Sequence, residues 1–270
     1  MNVVFIGGGN MADALIGGLL KSGLSAGQLR AVEVNGDARR RLADKHRIAC
    51  FDAPQKAYRA GDVIVLAVKP QQMQEAARFS GLNHNANLII SIAAGVSVAT
   101  LSRWLGGYTR IIRAMPNTPA LIGEGIAGLY ALPGFAEADM RQAETILGAV
   151  GVTVRISDAG QMDAVTAVSG SGPAYVFYFI EALEEAAIEL GLSAETARTL
   201  ALHTFSGAAK LAASSADPVA ALRERVTSKG GTTEAALASM EEDRVKQAIV
   251  RAIHKANERG RELGRQFDKS

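Results

Sequence analysis

Apolar and polar positions along this 270-residue chain follow two different rhythms. Over the first half, short runs of large apolar residues alternate with longer stretches of mixed polarity. Residues 3–6, 29–34, 48–51, 62–68 and 88–92, and a segment holding Ile111 and Ile112, read as strands, several of them apolar enough to be buried on both faces. Residues 11–21, closed by Gly23, and the charged stretch 37–46 read as helices between them. Strands separated by helices of this length predict right-handed βαβ units and a mainly parallel sheet covered on both sides. Past Pro119 the pattern loosens, and residues 122–130 and 152–156 read as edge strands around a helix over 135–147. From about Ala159 the strand signals stop. Residues 175–190, 194–213, 232–241 and 244–263 then read as helices, with Ser193 as an N-cap, Gly191 as a C-terminal glycine and Pro218 in a first turn. The expectation is an α/β domain over residues 1–157 followed by an all-helical domain over 158–270. The helix holding Tyr175, Val176, Phe177, Phe179 and Ile180 is apolar nearly all round, so it is expected to be covered, with a second subunit as one candidate for the cover.

Chemistry enters at the first strand–helix junction. Gly7, Gly8, Gly9, Asn10, Met11 and Ala12 satisfy G-x-G-x-x-A directly after a strand and directly before a helix. The first glycine allows the tight turn, Gly9 lets a pyrophosphate approach the backbone, and Ala12 lets the helix pack close. In that context the motif marks a dinucleotide site in a Rossmann-like, doubly wound fold, with Ile6 leading into it. The end of the second strand bears on which dinucleotide. NAD-selective sites carry an acid there for the ribose hydroxyls. Here the residue after the last apolar strand position is Asn35, followed by Gly36, with Arg39, Arg40 and Arg41 nearby. Glu33 lies one alternation step off within the predicted strand and is expected to point elsewhere. This reading favours NADP(H), with NAD(H) as the alternative donor; the arginines equally fit a solvated helix face.

Further strand ends supply the rest of the crevice. Ala67, Val68, Lys69 and Pro70 end the strongest strand, and the proline, lacking an N–H, stops it. Lys69 is placed to reach a phosphate or ribose, or else is solvated. Ala93 and Ala94 follow the next strand as small residues against which a nicotinamide ring can lie. Residues 113–119 form a proline-stiffened loop at the strand after that. Residues 169–174 (SGSGPA) open the apolar helix, either lining the substrate side or simply starting a helix at a crowded contact. Near the end of the chain, Gly230 and Gly231 turn the backbone and Thr232 and Thr233 begin a helix, flanked by Thr227 and Ser228. Free N–H groups at such a helix start bind anions, so this turn suits a small carboxylate, although an ordinary glycine-to-helix junction has the same local pattern.

Composition narrows the classes. With 29 basic and 27 acidic residues interspersed and no aromatic-interleaved basic stripe, a nucleic-acid partner is not expected. No apolar run reaches bilayer length, so no membrane partner is expected, and the first residues lack a signal-peptide pattern. The single cysteine, Cys50, forms no intrachain disulfide and sits in an apolar run as an inert thiol; a reducing cytoplasm fits best. The histidines, His46, His84, His203 and His254, lack metal-ligand spacing, and no metal is expected. A reduced nicotinamide supplies hydride, and an imine or iminium accepts it with no stronger help than hydroxyls and backbone N–H groups.

The chain resembles the pyrroline-5-carboxylate reductases nearly end to end. The likeness runs through residues 5–11 (FIGGGNM), 67–70 (AVKP), 91–96 (SIAAGV), 112–119 (IRAMPNTP) and 168–175 (VSGSGPAY). It is most specific over 218–241, around Gly230, Gly231, Thr232 and Thr233. The resemblance implies NAD(P)H-dependent reduction of L-1-pyrroline-5-carboxylate to L-proline, the last step of proline synthesis. It also implies a helical C-terminal domain that interlocks with a second subunit in a homodimer, or in a larger assembly built on it. By that likeness Ser228, Gly230, Gly231, Thr232 and Thr233 hold the substrate carboxylate, and Thr233 places its hydroxyl by the ring nitrogen. Arg225 and Lys229 depart from relatives that carry Asn and Pro there, which leaves the fine shape of the loop open. The β-hydroxyacid dehydrogenases resemble the chain at the glycine turn, but they use a helix-borne Lys with an Asn one turn on, and residues 173–190 contain neither. A non-enzymatic NADP(H)-binding redox sensor is the alternative from another class.

Overall fold

The computed structural model describes residues 1–79 and 87–268; His84 lies outside them. β1 (Val3–Ile6), β2 (Leu29–Val32), β3 (Ala49–Phe51), β4 (Val63–Leu66), β5 (Leu88–Ser91) and β6 (Ile111–Pro116) run parallel in the order β3-β2-β1-β4-β5-β6. β7 (Gly125–Ala131) joins β6 antiparallel, and β8 (Gly151–Arg155) lies beside β7, parallel to it. Of the two expected edge strands only β8 is one. β7 is interior because β6 and β8 pair along its two sides, and its Ala127 and Leu129 are buried in the core.

The apolar runs make both faces of this sheet. Val3, Phe5, Val63, Val65 and Ile90 pack into one core, while Val4, Ile6, Ile64, Leu66 and Ile89 pack into the other. Side chains of adjacent strand residues point to opposite faces, so a strand covered on both sides has no polar position to spare. α1 (Asn10–Lys21) and α2 (Gly36–His46) follow β1 and β2. α3 (Met73–Phe79) and α4 (Val98–Trp104), neither of them expected from the sequence, follow β4 and β5, and α5 (Glu137–Gly148) links β7 to β8. Leu15, Ile16 and Leu19 of α1 are fully buried, each contributing roughly 1.5–3 kcal/mol by the usual transfer scale. After β8 comes α6 (Met162–Val165), continuing into a π-helical turn over Thr166–Gly170. Asp163 of α6 pairs with the buried Arg113 of β6 at 3.3 Å.

One polar tie joins the helices flanking the glycine turn. Asp13 of α1 accepts from Lys45 Nζ at 2.6 Å and lies 2.6 Å from His46 Nε2 of α2. Burial raises the Asp13 pKa, but Lys45 and His46 together outweigh it and hold the carboxyl below its ordinary value. A carboxyl depressed in the folded state stabilises above its unfolded pKa, near 4, and loses that contribution as pH falls through the folded value. Asp13→Asn is therefore expected to cost about 1 kcal/mol at neutral pH, the scale of a partly exposed pair. The gap between variant and parent should narrow on acidification to about pH 3. Thermal melts at both pH values check it, and an equal gap at the two would contradict it.

The chain forms two compact units. One comprises Met1–Ser171 with Ala256–Ser270, the other Gly172–Lys255. The expected boundary at 157/158 falls earlier than this division because Met162, fully buried, and the π-helical turn pack against the sheet: Gly170 lies so close to Met115 that a Cβ there would sit 2.6 Å from its Cε. The second unit holds α7 (Gly172–Glu189), α8 (Ala194–Ser214), α9 (Val219–Arg225) and α10 (Thr232–Glu242). Ser193 caps α8 by accepting from Thr196 N–H, and Gly191 turns with φ +93°, both as expected. Pro218 is the N-cap of α9, one position before the first turn in which it was expected. α7 and α8 pack together with Phe179 stacked on Phe205, yet no residue of α7 is buried.

α11 (Val245–Asp268) begins in the second unit and ends in the first. Its last turn lies on α4: Phe267 meets Trp104 edge-on, Arg103 donates to the carbonyls of Phe267 and Asp268, and Thr100 donates to the Asp268 carboxylate. Among the described residues, no helix is long and apolar enough to cross a membrane.

Candidate functional site

Strand order reverses between β1 and β4, and a cleft of about 510 Å³ opens at their carboxyl ends. Parallel sheets place ligands at such a point because crossovers on either side leave by opposite faces. Ile6, Gly7, Gly8 and Gly9 line one wall, and Ala67, Val68 and Lys69 line the other. Gly7 has φ +102°, and a Cβ there would lie 2.8 Å from the Ala67 carbonyl, so no other residue fits without strain. Gly9 is the N-cap of α1 and makes no side-chain cap; nothing lies within 4 Å of a Cβ placed on it. Open space above uncapped helix N–H groups is what a pyrophosphate requires, and a dinucleotide fits this cradle.

The other expected cofactor residues flank the cleft without lining it. Asn10 and Met11 start α1 behind the turn, and Pro70 begins the 3-10 turn that follows β4. Ala93 and Ala94 follow β5, Ala93 buried with its N–H directed at Ser91 Oγ, 3.4 Å away. Asn35 caps α2, its Oδ1 accepting from Ala38 N–H at 2.9 Å. Arg39 donates to the carbonyls of Glu33 and Val34, and Arg40 pairs with Asp37.

Glu33 corrects the sequence expectation. It points into the cleft, where Oε2 accepts from Gly8 N–H at 2.9 Å and Oε1 from Asn35 N–H at 2.8 Å. The expectation rested on alternation through residue 34, but β2 ends at Val32; Glu33, its N–H still bonded to the Phe51 carbonyl at 2.9 Å, folds its side chain back over the glycine turn. Asp52 and Glu75 also line the cleft. Cys50 sits on the edge strand β3, half-buried, and burial raises its thiol pKa despite the nearby Arg39, which fits an inert thiol.

In the helical unit, Gly230 turns with φ +73° and Gly231 is the N-cap of α10, whose first residues are Thr232 and Thr233. Gly231 N–H closes the turn onto the Ser228 carbonyl at 3.0 Å, and Ser228 is exposed. Thr227 instead donates its hydroxyl to the Arg223 carbonyl, finishing α9. Arg225 pairs with Asp217 at 2.6 Å and so braces the segment before the loop. Gly230 N–H donates to Glu234 Oε2 at 2.7 Å. A carboxylate thus already sits on one of the loop's N–H groups, a contact that the Glu234 spacing of one helical turn allows but that the sequence reading left out.

Comparisons with known proteins agree over the whole chain. Residues 159–263 match the family model described as pyrroline-5-carboxylate reductase dimerisation, and residues 2–95 match one described as NADP oxidoreductase coenzyme F420-dependent. The pyrroline-5-carboxylate reductase of Pseudomonas aeruginosa is 44% identical over 98% of this chain and 97% of its own length. The solved pyrroline-5-carboxylate reductase of Coxiella burnetii superposes with a TM-score of 0.91 at 38% identity, covering 97% of this chain and 98% of that one. A Plasmodium falciparum pyrroline carboxylate reductase, solved with NADP bound, gives a TM-score of 0.87 at 29% identity over 98% of both chains. A switch-point glycine cleft, a helical C-terminal half and this end-to-end likeness lead to one conclusion: the chain belongs to the pyrroline-5-carboxylate reductase family.

Proposed function

We infer that this protein reduces L-1-pyrroline-5-carboxylate to L-proline with NADPH or NADH, closing proline biosynthesis. The observation that carries this reading is the full-length 44% identity to the Pseudomonas aeruginosa reductase, together with a glycine cradle shaped for a dinucleotide. Gly7, Gly8 and Gly9 hold the pyrophosphate, with Ile6, Asn10 and Met11 setting the turn. Ala67, Val68, Lys69 and Pro70 hold the opposite wall, Asn35 shapes the ribose end, and Ala93 and Ala94 leave room for the nicotinamide. The bound dinucleotide supplies a hydride to the imine carbon. The protein's own task is to hold the substrate: Ser228, Gly230, Gly231 and Thr232 take its carboxylate, and Thr233 places a hydroxyl at the ring nitrogen, which takes up a proton from solvent. Glu234 holds the Gly230 N–H in the single chain, so the substrate carboxylate must displace it to use that donor.

The assembly belongs to the same reading. Phe177 and Tyr178 of α7 are 64% and 70% exposed in the single chain, and Leu200 and Leu211 of α8 are exposed too. Apolar helices of this kind need a cover. We take that cover to be the same helices of a second copy in a homodimer, and we place the protein in the cytoplasm. The direct test is a fall in NADPH absorbance on adding pyrroline-5-carboxylate, with stoichiometric L-proline formed. A hydroxyacid with NADP as control separates the hydroxyacid dehydrogenase reading. A redox sensor would bind NADPH and turn over neither pair, and that result would overturn the assignment.

A further inference from the structure

Glu33 is an acidic group at the one place in the cleft where the two nicotinamide cofactors differ. It is the first residue past β2, where an acid in a doubly wound fold meets the adenosine ribose. Two backbone donors fix it: Gly8 N–H on Oε2 and Asn35 N–H on Oε1. Neither of the two nearest arginines is bonded to its carboxylate. Arg39 donates through one guanidinium nitrogen to the carbonyls of Glu33 and Val34, and Arg40 pairs with Asp37. Of the other acids lining the cleft, Asp52 is paired with Lys56 at 3.3 Å and Glu75 follows β4 on α3, while the cation lining it, Lys69, belongs to the β4 wall. The Glu33 carboxylate therefore faces the cleft with no ion-pair partner among the described residues.

We propose that Glu33 is a selectivity-determining residue that sets how far NADPH is favoured over NADH, by accepting from the ribose hydroxyls of NADH and repelling the 2′-phosphate of NADPH. The proposal rests on the dinucleotide reading of the cleft. Like charges held a few ångströms apart near a protein surface repel strongly enough to change affinity by an order of magnitude or more. A carboxylate clamped by two N–H groups cannot swing away to relieve that repulsion without giving up both bonds.

The test is equilibrium binding by calorimetry of NADPH, NADH, 2′,5′-ADP and AMP to the full-length protein, its E33Q variant and its E33D variant. The readout is the ratio of affinities for the phosphorylated and unphosphorylated members of each pair, because a disturbed glycine turn would weaken both members alike. In E33Q that ratio is expected to rise about tenfold or more in favour of the 2′-phosphate, while E33D, which keeps the charge, stays near the parent. A ratio unchanged within about twofold in E33Q, with binding otherwise intact, would overturn the role of Glu33 and leave the cleft a dinucleotide site. Failure of the unaltered protein to bind any of the four would overturn the dinucleotide reading itself.

Discussion

Gly7→Ala is expected to weaken NADPH binding by at least about 10²-fold and to lower the melting temperature as well. The new Cβ would lie 2.8 Å from the Ala67 carbonyl carbon and oxygen and 2.9 Å from Val68 N, all backbone atoms. They cannot retreat. Gly7 N–H donates to the Val32 carbonyl and Ala67 N–H to the Ile6 carbonyl, both at 2.8 Å, which locks the turn between β2 and β4. The φ of +102° adds strain of order 1–3 kcal/mol for any side chain. Relief would have to come from moving the turn, and the turn is the binding site. Gly9→Ala separates the two effects: its Cβ meets nothing within 4 Å, so the fold should melt within about 1 °C of the parent while the space for a pyrophosphate is lost. Calorimetry and thermal melts on the two variants check this. A Gly7→Ala protein that binds NADPH as tightly as its parent would remove the glycine turn from the site.

Thr233→Val is expected to lower turnover by about 10²-fold, the usual loss when one well-placed donor is removed from a reacting centre. Valine keeps the branched shape at the second position of α10 and deletes only the hydroxyl, so the loop and the cofactor cleft should both persist. Unaltered NADPH affinity with reduced kcat is the expected signature, and Thr233→Ser should recover most of the rate. An unchanged kcat/KM in the valine variant would take Thr233 out of the chemistry and leave the loop as a carboxylate clamp alone.

What the sequence made legible follows from where each signal is stored. Val3, Val4, Phe5 and Ile6 are consecutive, fully apolar and followed by glycine, so strand, turn and ligand were readable together; both faces of that strand are indeed core. The Gly230–Thr233 turn was readable for the same reason, because its backbone geometry is written in adjacent residues. Glu33 was misjudged because a strand's last paired residue depends on its neighbours, β1 and β3, and an end two residues earlier than expected redirects a side chain. Asn35 caps the helix that it precedes through its oxygen, a role that the same local pattern allows beside the ribose role proposed for it. The domain boundary rests on contacts such as Arg113 with Asp163, and the seat of α11 on α4 on contacts more than 150 positions apart, such as Thr100 with Asp268; nothing local announces either. Exposed Phe177 and Tyr178 reverse the case: the sequence flagged an all-round apolar helix, and a single chain leaves it uncovered.

The most direct measurement follows the hydrogen itself. NADPH carrying deuterium at nicotinamide C4, supplied as each of its two stereoisomers in turn, is incubated with the protein and pyrroline-5-carboxylate, and the proline is read by mass spectrometry. One isomer should deliver a single deuterium to the δ-carbon of L-proline and the other none. Unlabelled proline from both, or no proline at all, would contradict hydride transfer to a cyclic imine as the work of this chain.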